Sequence, residues 1–327
     1  MTDRFGTAPD GSPVQCVQLR ADWGNAAVMT WGASLQDFRL SAVDRSLLLG
    51  SPDFDAYPQA MRYYGAIVGP VANRIAGGRF TLNGQVCELD RNEGGATTLH
   101  GGSTGLSQRN WRITEASETS VTLEIDHPYG LGGFPGPIAV SATYALRDEA
   151  TLEITIRGQA AAPCLFNPAF HGYWNLDGTA DLSRHRLTIH ADRYLPVDAR
   201  MIPTNPVSLD GSDFDHRQPR APHPDVDHNF CIAETRGPLR PHAVLEAGGI
   251  RMDLQSTEPG LQVYSAARMD TAPWPGHTGR PYGHNAGLAL EPQGWPDAPN
   301  RADFPPVRLE PGANYIQQSL FRFSRTA

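Results

Sequence analysis

Arg79-Phe80-Thr81-Leu82-Asn83-Gly84-Gln85-Val86-Cys87-Glu88-Leu89 decides the fold class of this chain. Asn-Gly between two apolar-alternating runs signals a two-residue hairpin turn, because both central residues need positive φ. In the register that turn sets, Leu82 pairs with Gln85 and Phe80 with Cys87. Phe80, Leu82, Cys87 and Leu89 then share one face, and Arg79 opposes Glu88 on the other in a cross-strand ion-pair arrangement. The same period of two recurs further along the chain. Val121, Leu123 and Ile125 alternate with polar neighbours, Leu152, Ile154 and Ile156 repeat the pattern, and residues 138–146 are similar. The 33 Gly and 28 Pro recur in every region, which argues against long uninterrupted helices. The chain is expected to be all-β.

Pro/Gly-rich stretches at 127–137, 202–226 and 271–287 read as long loops over a sheet. No low-complexity linker or internal repeat divides the chain, so one domain over residues 1–327 is expected. The formal net charge of −8 gives no footprint for nucleic acid or an anionic membrane. The chain has no lysine, which removes Schiff-base and P-loop lysine chemistry, and arginine is too basic to act as a general base. Cys16, Cys87, Cys164 and Cys231 are far apart in sequence, so neither a disulfide framework nor a zinc site is expected. Residues 1–11 are polar and no apolar run approaches a membrane span. A cytoplasmic location is the default expectation.

Three neighbourhoods place a titratable residue beside glycine, proline or an aromatic ring. They are Thr98-Leu99-His100-Gly101-Gly102, then Asn167-Pro168-Ala169-Phe170-His171-Gly172-Tyr173-Trp174-Asn175-Leu176, then Leu288-Ala289-Leu290-Glu291-Pro292-Gln293. Glu291 ends an apolar run, as a carboxylate projecting from a strand end into a cleft does. Taken singly, each also has a structural explanation: a histidine hydrogen-bonded among aromatics, or a solvated glutamate.

In combination they resemble the aldose 1-epimerase family. Six motifs occur in the family's order: Gly69 through Asn73-Arg74 to Gly84; Leu99-His100-Gly101-Gly102 with Gly105 and Trp111; Asn167, His171, Tyr173, Asn175 and Leu176; Asp227-His228-Asn229-Phe230; Pro259-Gly260-Leu261-Gln262 with Tyr264; and Glu291, Gln293, Pro296-Asp297-Ala298 and Asn300. The tail from Phe304-Pro305 through Pro311-Gly312 to Tyr315 matches too, so the resemblance runs from about residue 60 to the C-terminus. It implies a large antiparallel β-sandwich of the galactose mutarotase type, with a sugar cleft across one sheet. By similarity His171 is the general acid and Glu291 the general base. His100 is similar to a second histidine that hydrogen-bonds the sugar. Arg74, Asp227 and Gln262 match hydroxyl-binding positions, and Asn73 lines the same site. The partner is then a free monosaccharide, without metal or other cofactor, on a monomer or homodimer.

The chemistry suits these residue types. A cyclic aldose opens when a base takes the anomeric proton while an acid protonates the ring oxygen, and it closes on either face after rotation about one bond. Neighbouring opposite charges are expected to keep His171 charged and Glu291 ionised. A bell-shaped pH profile follows, its acidic limb from Glu291 and its basic limb from His171. For Arg74 the alternative is a structural ion pair with a nearby carboxylate, for Asp227 a turn residue, and for Gln262 a solvent-facing strand position.

The chain departs from the family at Phe170, where an Asn usually precedes the histidine. A ring there is expected to make the wall beside His171 drier. Trp274 and Tyr282, in the 271–287 loop, are candidates either for stacking on a sugar or for packing the loop. A hexose-6-phosphate 1-epimerase would need an arginine clamp, for which Arg74 and Arg79 are the nearest pair in sequence. A non-catalytic sugar-binding or sensing module would not need both His171 and Glu291, and a glycoside hydrolase would need paired carboxylates.

Overall fold

The computed structural model describes residues 2–326. The hairpin forms as predicted, with Arg79 opposite Glu88, Phe80 opposite Cys87 and Leu82 opposite Gln85. Asn83 and Gly84 both carry positive φ, 52° and 78°. Phe80, Leu82 and Leu89 are buried together, with Cys87 packed beside them. The ion pair differs from expectation, since Glu88 binds Arg91 at 2.9 Å. Both partners are exposed, so the choice between two guanidinium groups rests on only a few tenths of a kcal/mol.

The alternating runs become Ser120–His127, Ile138–Arg147 and Thr151–Ala160, three neighbours in an eight-stranded sheet. Arg112–Ala116 lies at its one edge. Asn314–Arg325, Ile250–Ser256, Arg240–Ala247 and Arg186–Ile189 complete it beyond Thr151–Ala160. A six-stranded sheet runs Tyr173–Trp174, Leu288–Gln293, Gly260–Tyr264, Asp227–Cys231, Arg193–Leu195, Val207–Ser208. A third sheet of four strands is built from residues 2–40. Its ladders, like those of the two larger sheets, are antiparallel. Among the described residues the only helical segments are 3-10 turns of three residues.

One apolar cluster joins the sheets. Leu123, Val140, Ile154, Phe321 and Leu254 enter it from the eight-stranded sheet, Trp174, Leu290, Val263 and Phe230 from the six-stranded sheet, and Leu19, Val28 and Phe38 from the N-terminal one. The opposite face of the six-stranded sheet is left to carry polar side chains, and the cleft lies there. The expected β-sandwich is therefore present, extended by a third sheet.

Phe170 belongs to this core and not to the cleft. It sits in the short strand Ala169–His171, where successive side chains point to opposite faces. Its ring packs edge-on against Tyr144, Trp174 and Phe321 at 6.3, 6.4 and 5.8 Å. The drier wall anticipated beside His171 is thus not made by Phe170. Phe170→Ala is expected to cost ~3–5 kcal/mol of stability through lost burial and the cavity left behind. Urea unfolding checks this: a loss below about 1 kcal/mol would contradict a core position at 2% exposure.

Candidate active site

The floor of the cleft is a grid set by strand register. Glu291 lies opposite Gln262, Gln262 opposite Asn229, and Tyr264 opposite Asp227. Period-two alternation places Asp227, Gln262 and Glu291 on one face, while Phe230, Leu261, Val263 and Leu290 point into the core. Glu291 is therefore inside its strand, not at the end of it, and is 1% exposed. Gln262 is buried too and donates to Asp227 Oδ1 at 2.7 Å. The solvent-facing alternative for Gln262 and the turn alternative for Asp227 both give way to this arrangement.

Two histidines reach the grid from separate segments. The strand Ala169–His171 pairs with Ala66–Val68 and delivers His171, whose Nε2 is 3.4 Å from Glu291 Oε1. His100 follows the two-residue strand Thr98–Leu99, which pairs with Arg74–Ile75. Asn73 and His100 both adopt positive φ, 60° and 52°. Their backbones are tied by His100 N–H donating to Asn73 O at 3.0 Å. The Asn73 N–H in turn donates to His100 Nδ1 at 3.1 Å. A backbone N–H can only donate, so neutral His100 carries its proton on Nε2. Tyr63, which the sequence reading did not single out, covers both imidazoles, with ring centroids 4.7 Å from His100 and 5.8 Å from His171.

Arg74 reaches the cleft through a neighbour that sequence reasoning also missed. Its Nε and one terminal nitrogen donate to the two oxygens of Glu93 at 2.8 and 2.7 Å. The structural ion pair anticipated as an alternative for Arg74 is thus present, and it lies beside Asp227 and Gln262 in one lobe of the cleft. Asp297, of the sixth motif, supports this corner from behind. Its Oδ1 accepts from Ala76 N–H at 2.9 Å, and its own N–H donates to Arg74 O at 3.1 Å. A second lobe opens beside His171 and is floored by Tyr63, Tyr64, Tyr173 and Tyr264. Larger hollows lie elsewhere, one around Ser141 on the outer sheet face and one between Arg39 and Arg280.

Burial decides the charge states. It pushes Glu291 well above the usual carboxylate range, helped by the Asp227 charge and opposed by Arg74. Burial also pulls His171 down to about 4, and lowers His100 well below the usual imidazole value. Asp227 is raised by burial against the pull of Arg74. Burial thus works against the resting imidazolium–carboxylate pair expected from opposite charges. Desolvation disfavours the charged form of both nearly inaccessible groups, the imidazolium of His171 and the carboxylate of Glu291. Among the described residues Glu291 Oε2 and His171 Nδ1 have no hydrogen-bond partner.

His100, His171 and Glu291 also bring three potential metal ligands within 4.8 Å of one another. The tautomer of His100 argues against ligation, because its Nε2 presents an N–H and its Nδ1 lone pair is already engaged. The set suits hydrogen bonding to oxygen atoms better. Trp274 and Tyr282 prove to be packing residues. Both lie against the second apolar cluster. The Tyr282 hydroxyl donates to Gly50 O at 2.9 Å and accepts from His277 N–H at 3.0 Å.

An antiparallel β-sandwich with a buried histidine–carboxylate pair beside side chains able to hydrogen-bond hydroxyls suits acid–base chemistry on a small polar molecule. Residues 15–322 match the aldose 1-epimerase family model. The chain is 36% identical over 340 residues to a galactose mutarotase from Rattus norvegicus, covering 98% of this chain and 97% of that one. It is 32% identical to an aldose 1-epimerase from Escherichia coli K12, covering 97% of each. Among solved structures, an aldose epimerase homologue from C. elegans superposes with a TM-score of 0.89 at 27% identity, covering 95% of this chain and 99% of that one. The chain belongs to the aldose 1-epimerase family and is a carbohydrate isomerase.

Proposed function

We propose that this enzyme interconverts the α and β anomers of a free aldose with Glu291 as base and His171 as acid. The observation that carries the reading is the 3.4 Å approach of His171 Nε2 to Glu291 Oε1 inside a buried cleft. The anomeric and ring oxygens share one carbon, so two groups this close together can serve both. With the pair's single proton first passed from Glu291 Oε1 to His171 Nε2, Glu291 takes the anomeric proton, the C1–O1 bond becomes a carbonyl, the C1–ring-oxygen bond breaks, and His171 protonates the ring oxygen. Rotation about C1–C2 and the reverse transfers give the other anomer. Ring opening leaves the pair as neutral imidazole and carboxylic acid, the charge state that burial favours, so part of the environment's preference falls on the open-chain side.

The Nε2–H of His100 supplies a fixed donor to a sugar oxygen. Arg74, Asp227, Gln262 and Asn73 hold hydroxyls and orient the anomeric carbon. Galactose is the first aldose to assay, because the rat relative is named galactose mutarotase. Arg79 lies exposed on the hairpin and Arg74 is engaged by Glu93, which weighs against a phosphate clamp from that pair. The reaction moves only protons, so no cofactor is invoked. Cysteines that are free and well separated fit a reducing, cytoplasmic compartment. Among the described residues no helix is long and apolar enough to cross a membrane. We take the whole chain as one catalytic domain, acting as a monomer or homodimer on a free monosaccharide, without nucleic acid.

The pH dependence tests the pair. The competent form holds one proton between His171 and Glu291. Below the lowered value of His171, about 4, a second proton binds and the base is lost. Above the raised value of Glu291 the last proton leaves and the acid is lost. The kcat/KM profile should therefore be a bell whose acidic limb follows the histidine and whose basic limb follows the glutamate, the reverse of the sequence-based assignment. NMR titration of the His171 ring checks it: an imidazolium persisting at pH 7 in the free enzyme would refute the inversion.

A further inference from the structure

Glu93 has no assigned part in the chemistry, yet it controls the guanidinium that faces the sugar. It sits in a tight turn closed by backbone hydrogen bonds between Glu93 and Thr97, with Gly94 and Gly95 at positive φ. That turn brings Thr97 Oγ1 to within 2.7 Å of Glu93 Oε2. The carboxylate is thereby fixed before it grips Arg74 in a two-bond fork. Such forks set direction as well as energy, because the guanidinium is planar and its donors are rigidly spaced.

Arg74 also has a second anionic neighbour. Asp227 lines the same lobe, and each charge acts on the other. Even so, among the described residues Arg74 forms an ion pair within 4.0 Å only with Glu93. Asp227 already has one oxygen bonded to Gln262. With its Nε and one terminal nitrogen taken, Arg74 keeps the other terminal nitrogen as a donor, and Asp227 keeps Oδ2 as an acceptor. One sugar hydroxyl can accept from the first and donate to the second.

We propose that Glu93 is a positioning residue whose carboxylate holds Arg74 off Asp227, keeping the hydroxyl site open. Freed from Glu93, Arg74 closes onto Asp227, and each group consumes the hydrogen-bonding capacity the sugar needs. The inference rests on the mutarotase reading of the cleft. Because Glu93 is about one-third exposed, its removal leaves the core untouched.

The test is steady-state mutarotation with Glu93→Ala, Glu93→Gln, Glu93→Asp, Arg74→Gln and the Arg74→Gln/Glu93→Ala double variant, with thermal unfolding as a check on folding. Glu93→Ala should raise KM on the order of tenfold, the loss expected for a charge-assisted contact, while kcat stays within about threefold. Glu93→Asp should recover part of that loss, and Glu93→Gln less. The double variant should be no worse than Arg74→Gln alone, since Glu93 acts only through Arg74. An unchanged KM in Glu93→Ala, a fall confined to kcat, or losses that multiply in the double variant would overturn the proposal. A wild-type enzyme that accelerates no aldose would instead overturn the reading on which it rests.

Discussion

Glu291→Gln should lower kcat/KM for mutarotation by ~10²–10⁴-fold, the usual worth of one positioned proton transfer. The amide keeps the shape of the side chain and its place opposite Gln262, but it cannot accept the anomeric proton. Folding should not suffer. Glu291 is buried with one oxygen unpartnered, and burial already disfavours its charge, so a neutral isostere is tolerated there. Circular dichroism and the unfolding midpoint should match the wild type while the polarimetric rate collapses. Near-normal kcat/KM in a folded Glu291→Gln enzyme would remove the residue from the base role.

His171→Ala should produce a loss of similar size, ~10²–10⁴-fold, because the ring oxygen is left without its proton donor. The variant carries a second signature that a packing defect cannot imitate. In the wild type, activity should fall at high pH as deprotonation of Glu291 empties the pair. Without His171 the only remaining requirement is an ionised base. The residual rate should then rise with pH through the raised titration of Glu291 and not fall. A residual profile that still falls on the alkaline side would contradict the proton bookkeeping.

The sequence made some parts of the fold legible and hid others, for identifiable reasons. The Asn83-Gly84 hairpin was readable because turn chemistry and one-sided burial agree on a register. Strands such as Ser120–His127 were readable because one face is buried and the other is not. In the N-terminal sheet, Gly24–Met29 and Ser34–Leu40 escaped because these strands are buried on both sides. Cys16 enters one apolar cluster and Val17 another, and Ala27 and Val28 divide in the same way. Two-sided burial erases the period of two.

The same distinction applies to the cleft. The family resemblance singled out His171, Glu291, His100, Arg74, Asp227, Gln262 and Asn73, and strand register and side-chain contacts make them neighbours. Strand alternation alone turns Phe170 away from His171. The charge states of the pair were not legible, because they depend on burial by segments distant in sequence. Glu93 was hidden for the opposite reason: Asn92-Glu93-Gly94-Gly95 has the composition of a solvated turn, and only the fold brings it to Arg74.

The most direct test is polarimetry of freshly dissolved α-anomers of galactose, glucose, arabinose and xylose, with glucose 6-phosphate alongside, at catalytic enzyme concentration. The account predicts that at least one free aldose reaches its anomeric equilibrium at a rate proportional to wild-type enzyme, and that this acceleration is lost with Glu291→Gln and with His171→Ala. Saturable binding of these sugars with no acceleration over buffer would contradict it and leave a sugar-binding protein in its place.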